Sequence, residues 1–130
     1  MQFHLIVNPK RKEYLAPEAF GDGRTLLEFT RGPSFILTAL AWLIAEDNGR
    51  GEGDAPSHPL VGSWARDSVV IVGDYGDEAG DGRGLYALAR ECFTNISQPA
   101  IAMLSQDVHL RARFVELGRG KLILTALGQE

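Results

Sequence analysis

Four carboxylates follow the apolar run Val69–Val72 within one glycine-rich segment: Asp74, Asp77, Glu78 and Asp81. Mg²⁺ and Ca²⁺ prefer carboxylate oxygens, and an Asp at the end of a buried strand is held on a rigid element. We therefore take Asp74, Asp77 and Asp81 as candidate ligands for Mg²⁺ or Ca²⁺. Their spacing lacks the alternate-residue ligands of an EF-hand loop, and Asp in glycine-rich turns commonly bonds its own backbone. The segment is either an irregular metal site or a solvated turn.

Three more residues join Asp74 as candidate ligand-binding residues: Asp22, Trp64 and Tyr75. Glycines flank Asp22 and let the backbone approach a ligand, although the spacing matches no phosphate-binding fingerprint and favours a turn. Trp64 lies between a long loop and the apolar run, so its indole either seals the edge of the core or lines a pocket. Tyr75 directly follows Asp74.

Histidine and cysteine complete no catalytic or zinc-binding motif in this sequence. His4, His58 and His109 are far apart and form neither a His-Glu-x-x-His nor a His-x-x-x-His pair. Cys92 falls on an apolar helical stripe and is predicted to be a small core residue. No residue is assigned a catalytic role from the sequence motifs.

Length and composition indicate one globular domain that spans residues 1–130, since 45% of the residues are hydrophobic and 23% are charged. The single cysteine cannot form an intrachain disulfide, which fits a reducing compartment. The opening residues Met-Gln-Phe-His lack the charged flank and apolar core of a signal peptide. We therefore expect a cytoplasmic protein.

The charge pattern argues against nucleic acid as a partner. The net charge is −4, so phosphate backbones would repel the protein as a whole. The one basic cluster, Lys10 to Lys12, has the character of a solvated turn. The longest apolar stretch, Phe35 to Ala45, is much shorter than the roughly 20 residues of a membrane helix. We expect neither a nucleic-acid nor a membrane partner, which leaves an unknown protein or small molecule.

The first half of the chain predicts a hairpin, a short strand and a buried helix. Residues 2–8 alternate apolar and polar side chains and are predicted to pair with 12–16 across a turn. Residues 26–29 are predicted to form a short strand. A helix is predicted over 34–47 with Ser34 as its N-cap. It is apolar on nearly all sides, which places it at the centre of the domain with Leu40 and Trp42 buried.

The second half predicts a central strand among helices. Glycine-rich composition predicts a long loop over 49–63, mobile at 49–54. Residues 68–72 lack polar alternation, which predicts a strand buried on both faces. Three helices are predicted here: one over 85–96, one that begins at Ser97, and one that ends at Gly118. A last strand is predicted over 121–127. The fold class is α+β, a single domain with a hairpin, short strands and about three to four helices.

Several segments together resemble a group of uncharacterised small bacterial and phage-associated proteins. The similar segments are Lys-Glu-Tyr at 12–14, Phe-Gly-Asp-Gly at 20–23, Leu-Glu-Phe at 27–29, Gly-Ser-Trp-Ala at 62–65 and Val-Gly-Asp-Tyr at 72–75. The resemblance covers residues 12 to 75 and implies no activity. It implies that segments 20–29 and 62–75 form one unit, with Asp22 near Asp74. The chain departs from the group at Glu18-Ala19, where a His-Lys pair is common, and at Arg66, where relatives have Gly.

Two functions are compatible with these observations. The first is a small non-catalytic binding or interaction module without a cofactor. The second is a divalent-metal-dependent hydrolase or phosphoryl-transfer enzyme, in which Asp74 holds the ion and Asp22 or Glu28 acts as base on a metal-bound water. The first requires nothing that the sequence lacks, because fold and composition do not fix a function.

Overall fold

A computed structural model of the chain describes residues 1–47, 55–75 and 84–128. It contains a four-stranded sheet with helices, so the α+β class is confirmed. The strands are β1 (His4–Asn8), β2 (Glu13–Leu15), β3 (Val70–Gly73) and β4 (Thr94–Asn95). The helices are α1 (Leu26–Thr30), α2 (Phe35–Ile44), α3 (Leu85–Cys92), α4 (Ser97–Leu104), α5 (Val108–Glu116) and α6 (Gly120–Ala126), with a 3-10 helix at Pro17–Phe20. These are more helices than the sequence predicted.

The sheet has the strand order β3-β1-β2-β4. β1 pairs antiparallel with both β2 and β3, and β2 pairs parallel with β4. The predicted hairpin is confirmed, with Ile6 opposite Leu15. Its turn is closed by the side chain of Asn8, which accepts a hydrogen bond from the backbone N–H of Arg11.

Side chains of β1 alternate between two apolar clusters on opposite faces of the sheet. Ile6 and Leu15 pack with α2, α4, α5 and α6, whereas Leu5 and Val7 pack with α3. Helices therefore cover both faces, and β1 and β2 are the interior strands of the sheet. The alternation of a strand, with successive side chains on opposite faces, produces this division.

Helix α2 begins as predicted, because the Ser34 hydroxyl accepts from the backbone N–H of Leu37. It ends at Ile44, earlier than the predicted 47, and is not buried on all sides. Ile36, Ala39 and Leu43 lie in the core, whereas Leu40 and Trp42 are only partly buried. The expectation of complete burial for Leu40 and Trp42 is wrong because one side of α2 faces solvent.

The apolar segment 68–72 is not a central strand, which corrects the sequence prediction. β3 lies at one edge of the four-stranded sheet, and among the described residues it pairs with β1 alone. Val70 and Ile71 are each 40% exposed. The interior places are taken by β1 and β2. Residues of β1 pair with residues 5 to 9 positions away in β2 and 63 to 69 positions away in β3, and the second pairing cannot be read from local periodicity.

Two predicted strands are helices. Residues 26–29 lie in α1 because Thr25 forms a capping box: its hydroxyl accepts from the N–H of Glu28, whose carboxylate accepts from the N–H of Thr25. Residues 121–127 lie mostly in α6, which packs on α4 and α5. Ile123 of α6 reaches the core, so tertiary packing overrides strand propensity here.

The helix predicted over 85–96 begins as predicted but ends at Cys92, because Thr94–Asn95 form β4. α3 buries Tyr86 and Ala89, whereas Cys92 is exposed, so its prediction as a core residue is wrong. α5 ends before Gly118, which adopts the left-handed conformation as predicted. Residues 49–54, predicted to be mobile, lie outside the described residues.

Candidate functional site

Asp22 is a buried structural anchor. One carboxylate oxygen accepts from the backbone N–H of Ile36 at 2.9 Å, and the other accepts from the guanidinium of Arg119 at 2.8 Å. Burial raises the pKa of Asp22, and the hydrogen bonds from Ile36 and Arg119 oppose this increase. Both oxygens therefore already have partners at the first turn of α2, where a negative charge is favourable.

Arg119, the ion-pair partner of Asp22, makes further contacts in the core. Its guanidinium lies 5.3 Å from the ring of Phe35, which stacks on Phe114 at 3.8 Å. It also donates to the carbonyl of Phe20 at 3.2 Å. These contacts join α2, α5 and the 3-10 helix, so Asp22 belongs to the packing of the core.

Trp64 seals the core instead of lining a pocket. Its side chain is completely buried, and its indole N–H donates to the carboxylate of Glu13 at 2.8 Å. Its backbone N–H donates to the carbonyl of Leu43 at 2.8 Å. A ligand cannot reach the indole in this arrangement, because no part of it is exposed.

Asp74 and Tyr75 hold the N-terminal segment against β3. Asp74 donates its backbone N–H to the carbonyl of Phe3 at 3.0 Å, and its carboxylate accepts from the Phe3 N–H at 3.2 Å. The Tyr75 hydroxyl accepts from the Met1 amino group at 2.8 Å and donates to the Met1 carbonyl at 2.9 Å. The two residues thus continue the contact between β1 and β3 beyond the strands, to Phe3 and Met1.

The described candidate carboxylates do not form a common metal-binding site. The bonds to Thr25 lower the pKa of the exposed Glu28, which completes the capping box of α1. Asp77 and Asp81 lie outside the described residues. Within 1–47, 55–75 and 84–128, no group of three or more His, Cys, Asp or Glu side chains could hold a metal ion. The structure therefore gives Asp22, Glu28 and Asp74 separate structural contacts.

Asp67 is a polar centre that the sequence did not single out. Its carboxylate accepts from Asn8 at 2.9 Å, from Arg11 at 3.1 Å and from Lys10 at 3.3 Å. The Asn8 amide, followed by the two cations, lowers the pKa of Asp67. The Asp67 side chain is only 4% exposed. These bonds fix the hairpin turn beside the start of β3, and no local signal predicts them because the partners are at least 56 residues apart.

The edge of β3 that faces away from β1 has backbone groups without a hydrogen-bond partner among the described residues. The backbone N–H of Asp74 bonds to the carbonyl of Phe3, so the backbone groups of Asp74 point toward the N-terminal segment and β1. In an antiparallel strand the backbone groups of successive residues point alternately toward one neighbour and the other. Val70 and Val72 face β1, and Ile71 and Gly73 face outward. Across the described part of the chain, no residue bonds to the outward backbone groups of Ile71 or Gly73.

Side chains leave this edge apolar on both faces. Val70 and Ile71 point to opposite faces of the sheet and remain partly exposed, and β3 contains neither Lys nor Pro. Natural edge strands are commonly protected by Lys, Pro or a bulge. The edge of β3 is therefore the described surface best suited to accept another strand.

Charged side chains lie near both ends of β3. The turn residues Lys10 and Arg11 lie near its beginning, because both contact Asp67. Arg66, paired with Glu46, is largely exposed at the same end. Asp74 follows the other end. Most of these charges are already paired: Lys10 and Arg11 contact Asp67, Arg66 contacts Glu46, and the Met1 amino group bonds to Tyr75, the residue after Asp74.

Comparisons with protein-family models, with curated proteins and with solved structures find no match for this chain. The resemblance to small bacterial and phage-associated proteins therefore stays a prediction. No described helix is long and apolar enough to cross a membrane.

Proposed function

We propose that the protein is a non-catalytic interaction module of the cytoplasm, which binds an extended strand of a protein partner along the edge of β3. The observation that carries the proposal is the exposure of Val70 and Ile71 on opposite faces of an unprotected edge strand. A strand that is apolar on both faces is typical of the interior of a sheet. A partner strand would give β3 that environment.

The backbone geometry supports this mode of binding. An added strand gains affinity from main-chain hydrogen bonds and specificity from alternate side chains. Ile71 and Gly73 direct their donors and acceptors outward, and β1 holds β3 in place from the other side. The binding edge is therefore already formed before a partner arrives.

The carboxylates that suggested a hydrolase have structural contacts, which also supports the binding proposal. Asp22 accepts hydrogen bonds through both oxygens, and Glu28 completes the capping box of α1. A metal-dependent enzyme would require Asp74 to converge with Asp77 and Asp81, which lie outside the described residues. A single exposed cysteine and no described disulfide support the cytoplasmic setting.

A designed peptide tests the proposal. The peptide Lys-Lys-Thr-Val-Thr-Val-Thr-Glu-Glu is designed to run antiparallel to β3, with Glu-Glu at the end where Lys10 and Arg11 lie and Lys-Lys at the end where Asp74 lies. We expect amide NMR signals of Ile71 and Gly73 to shift on titration, and these amides to exchange more slowly with solvent. A peptide with Pro in place of the central Thr should not bind, because Pro removes a donor and disfavours a paired strand.

Matched variants of the protein locate the binding surface. Ile71→Lys should abolish binding of the peptide, because Lys disfavours pairing at an edge strand. Val115→Lys makes the same change at an exposed residue of α5, far from the sheet in sequence, and should leave binding unchanged. Failure of the peptide to perturb Ile71 or Gly73 at millimolar concentration would overturn the proposed function.

A further inference from the structure

We infer that α5 carries a second interaction surface, which binds an amphipathic helix with acidic flanks on a partner protein. The surface consists of Val108, Ala112 and Val115 of α5, together with Gly120 and Leu124 of α6. We call it the α5 surface. It shares no residue with the edge of β3 and does not depend on strand binding, so it goes beyond the proposed function.

Helix α5 is apolar on two opposite sides. Leu110 and Phe114 pack into the core. Val108, Ala112 and Val115 recur at intervals of four and three residues, which places them together on the side that faces solvent. Val108 is 70% exposed and Val115 is 63% exposed. A helix that is apolar on more than one side is typically covered on more than one side, so α5 lacks one cover in the isolated chain.

The two exposed valines do not serve the stability of α5 itself. Val has a lower helix propensity than Ala, Lys or Glu, because its branched Cβ restricts the side chain against the preceding turn. Val108 and Val115 also bury little of their surface against the rest of the described chain. A partner that covers them supplies the packing that the fold does not.

The apolar surface continues from α5 onto α6 across Gly120. A Cβ atom at Gly120 would lie 3.4 Å from Cγ2 of Val115. Leu124 lies about one helical turn beyond Gly120 on the same side of α6 and is 40% exposed. Because Gly120 has no side chain, the surface is low between Val115 and Leu124. A side chain of another helix can enter there, as the ridges of one helix pack into the grooves of another.

A helix suits this surface better than a strand. The backbone N–H and C=O groups within a helix are already bonded to each other, so an extended segment would gain no main-chain bonds along α5. A bound helix instead uses side-chain anchors three and four residues apart. Val108, Ala112 and Val115 have this spacing.

Cations without a described partner flank the α5 surface. Residues 108–126 contain four Lys or Arg and one Glu, although the whole chain has a net charge of −4. Arg113 and Arg119 have carboxylate partners. Arg111 and Lys121 are exposed, and neither forms an ion pair with a described residue. Carboxylates beside the apolar stripe of a partner would pair with these two cations, so charge complementarity favours an acidic partner.

The composition of the surface favours a protein over a membrane as its partner. Helices that lie on membranes commonly carry Trp, Phe or Leu on the apolar side and many Lys or Arg on the other. α5 has nine residues and presents only Val and Ala on its exposed apolar side. The net charge of −4 also opposes attraction to an anionic lipid surface.

A designed helix tests the inference. The labelled peptide Glu-Leu-Ala-Ala-Leu-Glu-Glu-Glu-Leu-Ala-Ala-Leu-Glu-Glu-Glu-Leu places Leu at intervals of three and four residues between two rows of Glu. Its matched control has Lys in place of every Glu. We expect fluorescence anisotropy to show saturable binding of the acidic peptide and about tenfold weaker binding of the basic one. Equal affinities, or no binding of the acidic peptide at millimolar concentration, would overturn the inference.

Variants of the protein locate the binding. Val115→Lys should weaken binding of the acidic peptide about tenfold, because it places a charge at the apolar centre of the surface. Ile71→Lys makes the same kind of change at β3 and should leave this binding unchanged, so the helix peptide and the strand peptide test separate surfaces. Full binding of the acidic peptide by Val115→Lys would overturn the inference. Circular dichroism checks that each variant is folded.

A charge reversal separates direct pairing from an indirect effect on the fold. Arg111→Glu should weaken binding of the acidic peptide and strengthen binding of the basic one, since it exchanges attraction and repulsion. A loss of folding would weaken both. An Arg111→Glu variant that is folded and binds both peptides as wild type does would overturn the acidic character of the partner and with it the inference.

Vesicles test the alternative class of partner. Vesicles of phosphatidylcholine and phosphatidylserine, when sedimented with the wild-type protein, should leave the protein in the supernatant. Sedimentation with these vesicles that Val115→Lys abolishes would assign the α5 surface to a membrane and overturn the inference.

Discussion

The guanidinium of Arg119 donates to the carboxylate of Asp22 at 2.8 Å, joining segments 97 residues apart in the chain. The Asp22 side chain is 2% exposed, and that of Arg119 is 21% exposed. The carboxylate also accepts from the first turn of α2. The turn at Asp22, which the sequence suggested as a ligand site, therefore stabilises the packing of α2 against Arg119.

Removal of this carboxylate should destabilise the protein. We expect Asp22→Ala to lower the free energy of unfolding by about 3 kcal/mol, because it leaves Arg119 unpaired and the Ile36 N–H unsatisfied. Urea denaturation followed by circular dichroism measures the change. Asp22→Asn keeps one acceptor and should lose less, and a loss below about 1 kcal/mol in Asp22→Ala would contradict this role.

The two sides of α2 should differ in their sensitivity to truncation. Leu43 is completely buried, so Leu43→Ala should cost about 2 to 5 kcal/mol in the free energy of unfolding. Leu40 is partly buried, and Leu40→Ala should cost roughly half as much because less apolar surface returns to water. Denaturant unfolding of both variants checks the order, and an equal loss at both positions would argue against this placement of the helix.

The bonds to Asp67 should make stability depend on pH in the acidic range. The pKa of Asp67 is lowered from its ordinary value of 3.8, so its stabilisation is present above that pH and is lost as the pH falls through the lower folded value. Wild type should therefore be more stable than Asp67→Asn at pH 6, and the difference should shrink below pH 3.8. Thermal unfolding of both proteins from pH 6 to pH 2.5 measures it; a constant difference would contradict the assignment.

Trp64 should behave as a buried fluorophore. The chain has two tryptophans, so Trp42→Phe leaves Trp64 as the single emitter. We expect blue-shifted emission that acrylamide quenches weakly, because the Trp64 indole has no exposed surface. Trp64→Phe, which leaves the partly buried Trp42, should be quenched more readily. Strong quenching of Trp64 would show that the indole is accessible to a ligand after all.

Asp74 should respond to substitution as an anchor of the N-terminal segment. Asp74→Asn keeps the acceptor for the Phe3 N–H and should change the free energy of unfolding little, whereas Asp74→Ala should cost about 1 kcal/mol. Millimolar Mg²⁺, Ca²⁺ or Mn²⁺ should leave the wild-type melting temperature unchanged. An increase that disappears in Asp74→Asn would instead assign a metal site, because a ligand stabilises the state that it binds.

The sequence by itself determined the features that depend on neighbouring residues. The alternation of 2–8 and the turn after Asn8 predicted the hairpin, and Ser34 predicted the start of α2. Gly118 predicted the end of α5, because its left-handed conformation suits glycine. The capping box of Thr25 and Glu28 was also local, so the helical state of 26–30 could have been predicted from it.

Only the tertiary structure decided which helices and strands are buried and which charged side chains form ion pairs. The run Val69–Val72 is apolar enough for an interior strand, but pairing with a distant segment places β3 at the edge. Asp22 and Asp67 find their cations across large separations in the chain, which no local pattern encodes. Local spacing sets backbone conformation within a few residues, whereas burial depends on the order in which strands pair and helices pack, and that order is fixed by contacts between distant segments.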